Sequence, residues 1–328
     1  MAPFSVASQV HFVSSPDGNT KVYRANADPS WTIGAVPHGG YVLSLIIEAC
    51  LHYQEGSSSP DPIHVTAHYL RATSVGPLEV RVRTIRTGKT LSNISAELVQ
   101  EGAVNVTAHI VCGVLDPASL PPPEVPLTLV PPAPHARHTP FHTHPSSAPL
   151  APLLPRITFR PYLLRAEDHS IGERHAQRAE GGVDVGEWYT FSDPAERVTT
   201  TSLALFADLF PNLLPPIVNG GTLPPSWFPT VVLTLEFKAP IPRGEGYSTR
   251  TVGSFVTCRF VNDPQGRHDV YGELWTAPGD VADGKAENGE WRTNQRCLLV
   301  SHQMAMVLPF AVNEKKRKSA VDSELSKL

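Results

Sequence analysis

Asp208 stands out chemically because it interrupts an apolar run, Leu203-Ala204-Leu205-Phe206-Ala207 before it and Leu209-Phe210 after it. A carboxylate in such a run is costly unless it is paired or partly wet. Burial would raise its pKa toward a working pH, and hydrogen bonds donated to it would hold it ionised, which is what a general base needs. The plainer reading is a helix-end aspartate beside Pro211, exposed and idle. A second feature is Gly39-Gly40, which opens the segment Tyr41-Val42-Leu43-Ser44-Leu45-Ile46-Ile47. Unpaired N–H groups at a helix start, together with the helix dipole, make a natural seat for an anion. Small glycines also let a reacting carbonyl approach the backbone. His38 and Tyr41 flank the pair as candidate substrate contacts, although a histidine beside two glycines also reads as a capping or packing residue.

Other chemistries lack their residues. No Gly-x-Ser-x-Gly pentapeptide occurs, so a serine-elbow hydrolase is excluded, and there is no HExxH. Gly244-x-Gly246 lacks the rest of a dinucleotide fingerprint. His135, His138, His142 and His144 cluster in a proline-rich stretch, where an accidental grouping is favoured over a metal site. No metal and no cofactor are expected. Cys50, Cys112, Cys258 and Cys297 are scattered without CxxC spacing and read as reduced core thiols. Net charge is −4, from 27 basic and 31 acidic residues, which gives no field for nucleic acid. No run approaches the roughly 18 apolar residues of a membrane span. A soluble, intracellular protein is expected.

The positioning elements repeat. Residues 116–156 carry Pro121-Pro122-Pro123, Pro131-Pro132, Pro145 and Pro149 and read as a linker. In the first half, the segment after Gly39 is apolar almost all round, as a buried helix is. Alternation such as Leu78, Val80, Val82 against Glu79, Arg81, Arg83 then predicts antiparallel strands near 62–74, 77–87, 90–101 and 103–114. The second half repeats this more loosely, with a strand near 187–191, a helix from Thr199 to Phe210, and strands near 229–239, 247–260, 267–277 and 295–308. The loop 278–293 reads as a solvated insertion, and 211–228 as a lid or a rigid cover. This is the plan of a double hot-dog, an α+β architecture with two antiparallel sheets each wrapped around a central helix. Its parts would be 1–115, the linker 116–156, 157–310 and a flexible tail 311–328. Two unrelated α+β domains are the alternative.

Trp31-Thr32-Ile33-Gly34 followed by Pro37-His38-Gly39-Gly40-Tyr41 resembles the approach to the first helix in the thioesterase-like superfamily of acyl-CoA thioesterase II type. Ala207-Asp208-Leu209-Phe210-Pro211, Trp227-Phe228-Pro229-Thr230, Glu236-Phe237-Lys238-Ala239-Pro240, Tyr271-Gly272-Glu273-Leu274-Trp275 and Ser301-His302-Gln303 are similar, in order, to its second repeat. The resemblance implies that Asp208, Thr230 and Gln303 form the catalytic set, hydrolysing acyl-CoA to free acid and CoA. An oxyanion would be held near Gly39 and Gly40. Strand alternation puts Thr230 on the face opposite Val231, Leu233, Leu235 and Phe237, and puts Gln303 with Ser301 and Ala305. Two alternatives keep the fold: an enzyme of specialised metabolism that releases or transfers an acyl group, and an acyl-binding scaffold. A hydratase is disfavoured because no histidine lies a few residues from Asp208.

The chain closes on Ser326-Lys327-Leu328 after a polar stretch containing Lys315-Lys316-Arg317-Lys318. That tripeptide is the address read by the peroxisomal import receptor, so delivery to the peroxisome is expected. A tandem repeat supplies both halves of a hot-dog pair, so a monomer or a homo-oligomer fits.

Overall fold

A computed structural model describes residues 2–121, 129, 131, 133–178, 180–217, 222–284 and 290–315. Helix α1 (Gly39–Gln54) is apolar over most of its surface: Leu43, Leu45, Ile46 and Ile47 are fully buried, while the paired Glu48 and His52 reach water toward its end. Strands β1 (His11–Asp17), β2 (Thr20–Ala27), β3 (Asp61–Tyr69), β4 (Gly76–Thr87), β5 (Ser92–Gln100) and β6 (Ala103–Gly113) belong to the same half. The last four lie where alternation places them, except that β3 stops at Tyr69, beyond which the N–H groups of Leu70 and Arg71 both turn to Asn105 O.

The second half contributes β7 (Leu163–Glu167), β8 (Val183–Phe191), helix α2 (Thr200–Ala207), β9 (Thr230–Phe237), β10 (Thr251–Cys258), β11 (Arg267–Thr276) and β12 (Cys297–Ala305). Thr199 and Ser202 form a reciprocal capping box that starts α2. The helix ends at Ala207, earlier than the expected Phe210, and Asp208 takes the C-cap position.

Where each half is expected to wrap its helix in a separate sheet, the long strands of both halves join edge to edge among the described residues. The order β1-β2-β4-β5-β6-β3-β9-β12-β11-β10-β8-β7 forms an antiparallel sheet of 13 strands, counting the short Val261–Asn262 strand beside β11. The halves join where β3 pairs with β9, with Ala67 opposite Leu233. On the inner side, α1 and α2 pack directly: Ser44 Oγ lies 2.9 Å from both Gly40 O and Thr201 O, and the Thr201 hydroxyl donates to Glu48. Close packing of two buried helices brings the start of α1 to the end of α2.

Three segments differ from their sequence reading. The described part of the proline-rich stretch is not a bare tether: Phe141 is fully buried, its ring centroid 4.2 Å from that of Trp188, and the Asp168 carboxylate accepts from the N–H of His142 (2.7 Å) and Thr143 (3.0 Å). The loop 278–293 is anchored by buried Val281 and Trp291 and by Asp280, which accepts from Ser248, Arg250 and Thr251; its residues 285–289 lie outside the described set. The start of the tail docks as well, with Asn313 buried and bonded to Ala35 N (2.9 Å) and Ile33 O (3.1 Å). Ser326, Lys327 and Leu328 lie outside the described residues. Cys50, Cys112 and Cys258 are buried free thiols, and Cys297 is a free thiol of intermediate burial. Among the described residues no helix is long and apolar enough to cross a membrane, and no group of histidine, cysteine and carboxylate residues could hold a metal.

Candidate active site

Asp208 sits at the carbonyl end of α2, where the helix dipole disfavours an anion. The adjoining start of α1 reverses that disadvantage. Gly40 N–H donates to Asp208 Oδ2 at 2.6 Å, so the carboxylate caps the other helix's N-terminus. Thr230 Oγ1 and Gln303 Nε2 each donate to Asp208 Oδ1 at 3.0 Å, and Gln303 Nε2 lies 2.5 Å from Thr230 Oγ1. Only 6 % of the Asp208 side chain is exposed, so these bonds act with little competition from water. Gln303 Oε1 is buried without a partner among the described residues. Rotating the amide would set that oxygen against the carboxylate, so the amide N–H orientation is the one the site enforces.

Thr230 reaches this cluster by a route that simple alternation does not give. Its register with β12 shifts between Thr230 and Val232, and the irregularity turns the hydroxyl to the side shared by Leu233 and Gln303. Gln303 pairs with Leu233 across the strands, and the side it shares with Ser301 and Ala305 is buried.

His38 is the N-cap of α1: Nδ1 accepts from Tyr41 N at 3.4 Å, and Nε2 lies 3.0 Å from Asp208 O and 3.6 Å from its Oδ2. An accepting Nδ1 and a carbonyl opposite Nε2 fix the neutral tautomer with hydrogen on Nε2. Burial pushes the His38 pKa down, against a smaller opposing pull from Asp208. The folded protein thus binds this proton less readily than the unfolded chain, whose histidines titrate near 6.5. Stability is therefore present above about pH 6.5 and is lost as pH falls toward the folded value, by at most about 1.4 kcal/mol per pH unit for the group. Urea unfolding at successive pH values should show this acid-side loss, and His38→Asn, which can still cap the helix, should flatten it.

The other glycine and tyrosine candidates separate. Gly39 lies on the cavity wall; Tyr69 OH donates to its carbonyl at 2.9 Å, and its N–H meets no acceptor among the described residues. The Gly40 N–H is taken by Asp208, so it is not the open oxyanion donor that the sequence suggests. Tyr41 does not line the cavity: it is fully buried behind α1, donating to Ala7 O at 2.8 Å and accepting from Asp28 N at 3.0 Å.

Beside Asp208 opens a mostly apolar cavity of about 510 Å³. His38, Gly39, Asp208, Thr230 and Gln303 form one part of its wall, while Leu213, Leu223, Trp227, Phe228 and Val270 supply apolar surface. The described part of 211–228 is held at its far end by Ser226–Trp227 pairing with Leu308–Pro309, which makes it a cover over this space. His268 also lines the cavity and was not singled out in the sequence. The available signal was period two, which sets it on the same side of β11 as Val270 and Leu274.

Two family models match the chain, the acyl-CoA thioesterase N-terminal domain over residues 27–113 and the acyl-CoA thioesterase C-terminal domain over residues 133–283. The thioesterase-like protein TwmA of Talaromyces wortmannii is 30% identical over 104 residues, covering 32% of this chain and 28% of that protein. The chain thus spans less than a third of that relative's length. Among solved structures, a protein described as a thioesterase II from Thermobifida fusca superposes with TM-score 0.65 at 22% identity, covering 94% of this chain and 98% of that one. A hot-dog-fold protein from Alicyclobacillus acidocaldarius gives TM-score 0.63 at 18% identity over 93% and 97%. With both domain models matched in order along the chain, and with hot-dog proteins sharing its fold, the protein belongs to the acyl-CoA thioesterase family.

Proposed function

We propose that this chain is a double hot-dog thioester hydrolase that converts acyl-CoA, or a closely related acyl thioester, to the free acid and the thiol. The observation that carries the reading is the Asp208 carboxylate, fixed by Gly40, Thr230 and Gln303 at the wall of a mostly apolar cavity. The acyl chain lies in that cavity with its carbonyl carbon over Asp208. A water held by Asp208 beside Thr230, with Gln303 fixing both of these groups, attacks this carbon, and Asp208 takes its proton. The Gly39 N–H, at the positive end of α1, steadies the developing oxyanion. The C–S bond then breaks, and the proton passes from Asp208 to the departing thiolate. No cofactor is needed for this balance.

Free thiol released from short, medium, long and branched acyl-CoAs by the purified protein tests the reading. Turnover with a chain-length preference is expected. Binding of acyl-CoA without release of thiol or transfer of the acyl group would replace the hydrolase with a scaffold. Transfer to an added alcohol at the expense of free acid would make the protein an acyl-transfer enzyme. Within the cluster, Thr230→Val should lower kcat/KM by about ten- to a hundredfold, the worth of a hydrogen bond to a charged group, with the fold unchanged by circular dichroism.

A further inference from the structure

The cavity holds a polar group that the hydrolytic step does not use. His268 Nδ1 lies 2.8 Å from Gly266 O, and since a carbonyl can only accept, Nδ1 carries the ring hydrogen. Burial pushes the His268 pKa down, which leaves Nε2 as a bare acceptor. The residue is only 6 % exposed, and among the described residues no donor reaches Nε2. This acceptor stands on the wall of a mostly apolar space, open to the cavity beside Phe228, whose ring centroid is 6.1 Å away and nearly perpendicular, so whatever fills the cavity decides whether it is paired.

Its register places it relative to the chemistry. His268 pairs with Ala305, and Val270 pairs with Gln303, so the imidazole is one pleat along the inner face from Gln303, a diagonal of about 7–8 Å. His268, Val270, Gln303 and Ala305 all line the same cavity. An acyl chain that runs from Asp208 along this side of the cavity passes the acceptor within a few carbons.

We propose that His268 Nε2 accepts a hydrogen bond from the acyl group itself, so that the preferred substrates are hydroxyacyl thioesters with the hydroxyl a few carbons beyond the reacting carbonyl. The inference rests on the hydrolase reading for where the carbonyl lies. A bare acyl chain that displaces water from the cavity leaves this acceptor unpaired, whereas a hydroxyl at the right carbon satisfies it.

The test uses saturated acyl-CoAs of one length, bare or with a single hydroxyl moved along the chain. The parent should favour one hydroxyl position over the bare chain by about tenfold in kcat/KM. His268→Phe should bring that ratio near one, and His268→Gln, which keeps an acceptor, should retain part of it. An unchanged ratio in His268→Phe, or a parent indifferent to the hydroxyl at every position, would overturn the inference while leaving hydrolysis intact. The same free acids titrated into the 15N-histidine-labelled parent give a readout that needs neither turnover nor a folded variant. The hydroxy acid should move the His268 Nε2 resonance and bind more tightly than the bare acid. Equal binding with no shift would sink the assignment, whereas absence of thiol release with any acyl-CoA would sink the hydrolase reading instead.

Discussion

Asp208→Asn should lower kcat by about 10²- to 10⁴-fold while acyl-CoA still binds, because the substitution removes the base and leaves the cavity its shape. The geometry makes this more than loss of a proton acceptor. Gly40 N–H, Thr230 Oγ1 and Gln303 Nε2 all direct hydrogen toward the two carboxylate oxygens. An amide offers a single acceptor oxygen, so its NH2 must face at least one of these donors. Rearrangement of the cluster should therefore accompany the kinetic loss, at a cost of about 1–3 kcal/mol in stability for a buried donor left unpaired. Steady-state thiol release and urea unfolding of the same preparation check both parts. A variant with near-parental kcat would remove Asp208 from the mechanism.

Gly40→Ala should be harmful for a steric reason. In an open helix the change from glycine to alanine stabilises by about 1 kcal/mol. Here an added Cβ would sit 2.4 Å from Ala204 O, 2.8 Å from Asp208 Cβ and 3.0 Å from Leu205 Cα. Two of these are backbone atoms of α2, which cannot swing aside as a flexible side-chain end can, so the helices must part. Overpacking of this kind costs about 1–3 kcal/mol. The activity loss should exceed what that instability explains, because parting the helices withdraws the Gly40 N–H from Asp208. Unfolding midpoint and kcat measured together decide the matter, and a variant as stable and active as the parent would contradict the close approach.

Much of this arrangement is legible in the sequence because it rests on local pattern. An apolar run too long for a strand and apolar over most of its surface reads as a wrapped helix, and period-two alternation marks the strands that wrap it. Asp208 is visible for the same reason, as a carboxylate that an apolar helix would not otherwise carry. What escapes is set by contacts between segments. The register shift at Thr230 inverts the face that alternation assigns to it. The Gly40 N–H looks open until α2 is brought against α1, and Tyr41 looks like a mouth residue until its hydroxyl is seen to bind Ala7 O and Asp28 N behind the helix. Phe141 lies in a proline-rich stretch whose composition hides one fully buried ring, and Asn313 opens a polar tail yet is itself buried. Long-range pairing decides each of these.

The most direct test of water activation at Asp208 is a single turnover of acyl-CoA in 18O-water, with the acid product and the protein both weighed by mass spectrometry. One 18O in the acid from the first turnover, and none in the protein, is the result expected for attack by water held at Asp208. Unlabelled acid in the first turnover, with 18O appearing afterwards in the peptide that carries Asp208, would contradict it and make the carboxylate a nucleophile.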